Sequence, residues 1–181
     1  MPDQESRERR KQAQRADKTS VLFVCLGNIC RSPMAEGVFR ELVIQQGLED
    51  RFVIDSAGTG SWHVGDPPHA EGIAVAHAHG IDIRGQRSRQ VQAADLHSYD
   101  WIVAMDASNV RNLRRIGAEE PSGFPFQSGV RVVRLLEYAT NAPIDVPDPY
   151  YEGGFEAVFE LIEAGCRGLL LALTAEDGSD D

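Results

Sequence analysis

The chain has 181 residues, 42% of them hydrophobic and 25% charged, which is the length and composition of one globular domain. Eighteen Lys and Arg stand against 28 Asp and Glu, for a formal net charge of −10. That balance excludes a protein that presents a broadly basic surface to nucleic acid, and the composition excludes collagen-like, coiled-coil and wholly disordered chains.

Residues 1–19 carry ten charges and almost no hydrophobes, so burial cannot offset the entropy of ordering them, and they read as a disordered N-terminal tail. No apolar run precedes Val21, as a secretory signal would require, and none approaches the roughly 20 residues that span a bilayer. Three cysteines (Cys25, Cys30 and Cys166) are an odd count for a secreted disulfide framework. A cytoplasmic protein without a membrane or nucleic-acid partner is the expectation.

Residues 20–173 read as one folded domain. Val21–Val24 is a continuous apolar run, as in a strand buried on both faces. Met34, Val38, Phe39, Leu42 and Val43 follow at helical spacing, with Gly47 as a stop. Residues 52–54 form a second strand. A small-residue helix from Glu71 ends at Gly80, and Trp101–Met105 is a third strand. Ser108 can cap a helix that Gly117 ends, and Val130–Leu136 is a fourth strand. The stripe Phe155, Val158, Phe159, Ile162, Cys166, Leu169 and Leu173 marks a long last helix. Residues 174–181 hold four acids and no base, and read as an acidic tail. Strands alternating with helices imply an α/β fold: an open four-stranded parallel sheet with helices on both faces.

The segment between the first strand and first helix carries the chemistry. It reads Cys25, Leu26, Gly27, Asn28, Ile29, Cys30, Arg31, Ser32, Pro33. Ligands of open parallel sheets bind beyond the carboxyl ends of the strands. A loop entering a helix there aims backbone N–H groups and the positive helix dipole at one point, which makes an anion cradle. Arg31, six residues after Cys25, can return to the cradle and clamp two phosphate oxygens. Such a field favours the thiolate of Cys25. Asn28 tolerates a left-handed backbone and can brace the loop.

This string, at the end of a strand near the N-terminus, resembles the low-molecular-weight protein tyrosine phosphatases. The similarity continues through Asp55–Thr59, the loop Trp62-His63-Val64-Gly65, the turn His79-Gly80-Ile81, the pair Met105-Asp106, and Asp148-Pro149-Tyr150-Tyr151. The resemblance implies a phosphatase domain over residues 20–173 that hydrolyses phosphotyrosine through a cysteinyl-phosphate. Cys25 is then the nucleophile, Arg31 the phosphate clamp and Asp148 the general acid and base. Leu26, Gly27, Asn28, Ile29, Cys30 and Ser32 form the phosphate loop, with Ser32 donating to the sulfur. Ser56 and His79 join the hydrogen-bond network that holds the loop. Trp62, His63, Tyr150 and Tyr151 wall a slot sized for a phenyl ring. The resemblance implies no metal or organic cofactor. The expected partners are phosphotyrosine-containing proteins, and the expected state is a monomer.

Other readings stand beside these. Cys30 either packs or forms a protective disulfide with Cys25. Cys166, on a helix stripe, reads as core. Asp106 either braces the site or ends a strand. An arsenate reductase would use a similar loop but needs a relay of further cysteines, and only Cys166 lies beyond the loop. A non-catalytic phosphotyrosine or oxyanion-binding module would have no use for Asp148.

Overall fold

The computed structural model describes residues 17–119 and 129–176. Four strands form one sheet: β1 (Thr19–Cys25), β2 (Phe52–Gly58), β3 (Trp101–Ala104) and β4 (Arg131–Arg134). All pairings are parallel and the strand order is β2-β1-β3-β4. Helices α1 (Arg31–Gln45), α2 (Ala70–Ala78), α3 (Asp95–Ser98), α4 (Ala107–Ala118), α5 (Pro149–Glu152) and α6 (Phe155–Glu176) connect and cover it.

The alternation of β1 explains the two covered faces. Val21, Phe23 and Cys25 enter one core with α1, α2 and α6, while Leu22 and Val24 enter a second core with Leu96 and Leu113 of α3 and α4. Because both faces are buried, every position from Val21 to Cys25 is apolar, although strand side chains alternate with period two. Phe23, Phe39 and Phe159 are fully buried, each contributing on the order of 2–3 kcal/mol by leaving water. Gly168 lets α6 lie against the turn Leu135–Tyr138 that follows β4, since a Cβ there would overlap the Tyr138 carbonyl.

Several boundaries differ from the sequence expectation, each for a local reason. β1 starts at Thr19 because Ser20 N and Oγ both donate to the Asp100 carboxylate and Ser20 Oγ accepts from Asp100 N. Helix α1 starts at Arg31, directly after the loop, with Pro33 in its first turn, where an N–H has no helical partner to lose. Helix α4 is capped by Asp106 rather than Ser108. Asp106 Oδ1 accepts from Asn109 N at 2.8 Å while Asn109 Oδ1 accepts from Asp106 N at 3.1 Å. Gly117 lies inside that helix, not past its end. β4 stops at Arg134, where the chain tightens into a single 3₁₀ turn. Helix α6 runs on through Glu176, three residues into the stretch read as an acidic tail, and Thr174 Oγ1 donates back to the Leu170 carbonyl at 2.8 Å. Most of the expected N-terminal tail, residues 1–16, lies outside the described residues.

The strand order reverses direction at β1: the chain goes from β1 outward to β2, then returns to place β3 on its other side. Loops leaving β1 and β3 therefore diverge at their carboxyl ends and open a crevice there.

Candidate active site

Cys25 is the last residue of β1 and Arg31 the first of α1, so residues 26–30 span the gap between strand and helix. Donors outside this loop hold its carbonyls. The Cys25 carbonyl takes Thr59 N at 3.0 Å, Leu26 takes Gly60 N at 2.8 Å, and Ile29 takes His69 N at 2.7 Å. Ser88 Oγ donates to the Gly27 carbonyl at 3.0 Å. In a planar trans peptide the N–H points opposite its carbonyl, so anchoring these oxygens outward turns successive N–H groups inward. The result is an anion-binding concavity at a helix N-terminus. Asn28 sits in the left-handed region at φ 55°, as expected from its residue type. Gly58, at the end of β2, allows the close approach: a Cβ there would stand 2.7 Å from Leu26 O and 3.0 Å from Asn28 N.

The sulfur of Cys25 lies in this concavity. Ser32 Oγ is 3.0 Å from it and Asn28 N donates to it at 3.3 Å. Asn28 Nδ2 donates to Ser32 Oγ at 2.8 Å and to Ser56 Oγ at 3.0 Å. Ser56 thus joins this hydrogen-bond network, which the resemblance also assigned to His79. His79 lies apart from it. It is the C-cap of α2, its ring stacks on Phe159 at 4.2 Å, and its Nε2 lies 2.6 Å from Glu156 Oε1. The reason is helix length: α2 meets the loop through His69, and ten residues at 1.5 Å each carry His79 about 15 Å onward. Arg89 N instead holds Asn28 Oδ1, at 3.0 Å, and Glu36 accepts from Ser56 Oγ at 2.9 Å.

Arg31 is buried, at 2% exposure, and donates outward from the cradle rim. Its Nη1 reaches Asp106 Oδ2 at 2.6 Å and the Val146 carbonyl at 3.0 Å, and its Nη2 reaches Asp148 Oδ2 at 3.3 Å. Burial works against its charge, but Cys25, then Asp106 and Asp148, outweigh it and raise its pKa above the usual value. Asp106 therefore braces the site and caps α4 at once. Asp148 also has two contacts, since its Oδ1 accepts from Tyr150 N at 3.1 Å as the cap of α5. Gly153 and Gly154, at φ 70° and 75°, then turn the chain into α6.

These groups line one cavity of about 400 Å³. Cys25, Leu26, Gly27, Ile29, Cys30 and Arg31 form its floor, and Asp148 lies beside Trp62, His63, Tyr150 and Tyr151 on its walls. Trp62 and Tyr151 are the exposed rim, at 72% and 73%. The rings of Tyr150 and Tyr151 meet edge to face at 5.1 Å, and the His63 ring lies 6.2 Å from Tyr150. Cys30 is a free, buried thiol, pushed up to about 12 by burial first and by Cys25 and Asp148 next. Cys166 is fully buried in the core under α1, with its thiol against the Ala35 carbonyl at 3.7 Å.

Glu36, Arg89, Ser88 and the Val146 carbonyl were not foreseen. Glu36 left one signal: it is the one charged residue between Met34 and Phe39, a stretch that goes more than once around the helix and is otherwise without polar side chains.

Comparison with known proteins agrees with this geometry. The sequence model of the family described as low molecular weight phosphotyrosine protein phosphatase matches residues 20–179. The low molecular weight protein-tyrosine-phosphatase YfkJ of Bacillus subtilis (strain 168) is 47% identical over 158 residues, covering 87% of this chain and 97% of that protein. The crystal structure of YfkJ superposes with a TM-score of 0.80 at 46% identity, over 88% of this chain and 96% of that one. A protein tyrosine phosphatase from Entamoeba histolytica, crystallised with Hepes in its active site, gives 0.78 at 32% identity, over 88% and 99%.

Proposed function

Since the chain belongs to the low molecular weight phosphotyrosine protein phosphatase family and is a protein-tyrosine-phosphatase of that kind, we propose that it works through a cysteinyl-phosphate formed on Cys25. The observation that carries this reading is the convergence of Cys25, Arg31 and Asp148 on one aromatic-walled cavity.

A phosphotyrosine ring enters between Trp62, His63, Tyr150 and Tyr151, and its phosphate reaches the cradle. Phosphoserine, lacking the length of the ring, falls short of the floor. The Cys25 sulfur attacks phosphorus in line. The S–P bond forms as the P–O bond to the phenol breaks, and Asp148 supplies the proton that the departing oxygen needs. Arg31 and the inward N–H groups hold the equatorial oxygens as charge shifts among them. Asp148 then takes a proton from water, whose oxygen attacks phosphorus. The S–P bond breaks and the sulfur leaves as a thiolate, stabilised by the Ser32 hydroxyl. No step calls for a metal. The arsenate-reductase alternative needs an accessible second thiol, and Cys166 is fully buried.

The test is hydrolysis of p-nitrophenyl phosphate and of phosphotyrosine peptides in the presence of a chelator. Turnover should persist in the parent and vanish in Cys25→Ser. Asp148→Ala should slow phenyl phosphate, whose leaving group needs a proton, far more than p-nitrophenyl phosphate. Activity in Cys25→Ser, or equal losses on both esters, would overturn the assignment.

A further inference from the structure

We propose that Glu36 is a positioning residue for the Cys25 sulfur: it fixes the direction of the hydrogen bonds through Ser56, Asn28 and Ser32, and so directs the Ser32 proton to Sγ. The proposal rests on the reading of Cys25 as the nucleophile.

The direction follows from which groups can only donate and which can only accept. Arg89 N can only donate, so the Asn28 atom facing it at 3.0 Å is the oxygen. The amide nitrogen of Asn28 then faces Ser32 and Ser56, and its two hydrogens are used on their oxygens. Each serine is left with one proton of its own. That of Ser56 goes to Glu36 Oε1, 2.9 Å away, because an ionised carboxylate only accepts. That of Ser32 has the sulfur at 3.0 Å.

Asn28 has one competing state, the flipped amide. There its oxygen would face both serines and draw the Ser32 proton away from the sulfur. To support that state, Ser56 must donate to Asn28. Glu36 prevents this by taking the Ser56 proton, while Arg89 N opposes the flip from the other side. Glu36 is well placed to hold the arrangement. It follows Ser32 by one helical turn on α1, so one rigid element fixes both ends of the chain of bonds. It is buried at 7% exposure, and its second oxygen accepts from Arg40 Nη2 at 3.3 Å, which in turn is anchored on the Ile54 carbonyl at 2.9 Å. Burial raises the Glu36 pKa, and the bonds from Ser56 and Arg40 work against that shift.

A carboxylate that merely satisfied its own burial would affect stability without acting through Ser32. Glu36→Gln separates the two roles, since its amide can turn either an oxygen or a nitrogen to Ser56 and no longer imposes a direction. The measurement is the rate at which iodoacetamide alkylates Cys25 at pH 6 in the full chain, read on the Cys25 peptide by mass spectrometry, with thermal midpoints taken in parallel. Glu36→Gln should slow alkylation about fivefold, and less than twofold when Ser32→Ala is already present. Glu36→Met, which keeps much of the bulk and offers no acceptor, leaves the Ser56 proton free to turn to Asn28 and should behave alike, so the proposal stays testable if Glu36→Gln folds poorly. An unchanged rate, or the same loss with and without Ser32, would overturn it. Alkylation reads the sulfur directly, so this outcome is distinct from the turnover test of Cys25→Ser.

Discussion

Replacing Asp106 with Asn removes a charge while keeping the side chain's shape. In the parent, Oδ1 caps α4 by accepting from Asn109 N at 2.8 Å, and Oδ2 accepts from Arg31 at 2.6 Å. An amide has one oxygen for these two tasks. Asn caps helices as well as Asp, so the oxygen stays with the cap and the NH₂ group faces Arg31, donor against donor. The charge-assisted bond that is lost is worth about 1.5–3 kcal/mol, or roughly 10- to 150-fold in rate if all of it is expressed in the transition state. Arg31 keeps the Val146 carbonyl and Asp148, so the lower part of that range is expected. The assay is kcat/KM for p-nitrophenyl phosphate together with the inhibition constant of inorganic phosphate, and both should worsen because the clamp serves ground state and transition state alike. Asp106→Ala would add the loss of the cap, about 1 kcal/mol of stability, without a matching further fall in rate. A folded Asp106→Asn variant with kcat/KM within twofold of the parent would refute the claim that Asp106 holds the clamp.

Gly58→Ala should lower kcat/KM by at least tenfold, because its methyl group would meet Leu26 O and Asn28 N, backbone atoms that cannot swing aside; parent-like kinetics would show the loop to be more yielding than its geometry implies. At pH 8, iodoacetamide should label Cys25 and spare Cys30, since a thiol pushed up to about 12 stays protonated there; comparable labelling of both, read by peptide mass, would refute this. Cys166 gives a prediction on alkaline stability. Burial raises its pKa above the ordinary 9.0 in the folded chain. The folded thiol therefore keeps its proton where the unfolded one releases it, and stability falls as pH rises past that ordinary value. The loss between pH 9 and 10 is about 1 kcal/mol. Urea unfolding at the two pH values should show that part of the slope missing in Cys166→Ala, and an unaltered slope would exclude it.

Much of the site was legible because it is local in the chain. Cys25 to Ser32 is one continuous segment, and its spacing follows from a strand, a turn and a helix start. Asp148 and the tyrosines were legible as a short string with a turn-forming proline. His79 was assigned to the loop's network by resemblance alone, and α2 meets the loop at its other end, through His69. The cap of α4 was misread because Ser108 and Asp106 are both good caps, and the sequence does not say which one the end of β3 delivers to the helix axis.

The sequence alone determined the order of strands and helices, the two-sided burial of the sheet, and the anion cradle with its cysteine and arginine, since each depends on periodicity or on neighbours within about ten residues. Only the tertiary structure decided what surrounds the cradle. The direction of the bonds around Asn28 depends on Arg89, 61 residues away, and the clamp depends on Asp106 and Val146, 75 and 115 residues from Arg31. Those partners are brought together by the strand order β2-β1-β3-β4, which places the loops after β1, β2, β3 and β4 around one crevice. Donors and acceptors from distant segments can meet there with their geometry fixed only because the packed sheet holds them, and no local pattern encodes which of them will face each other.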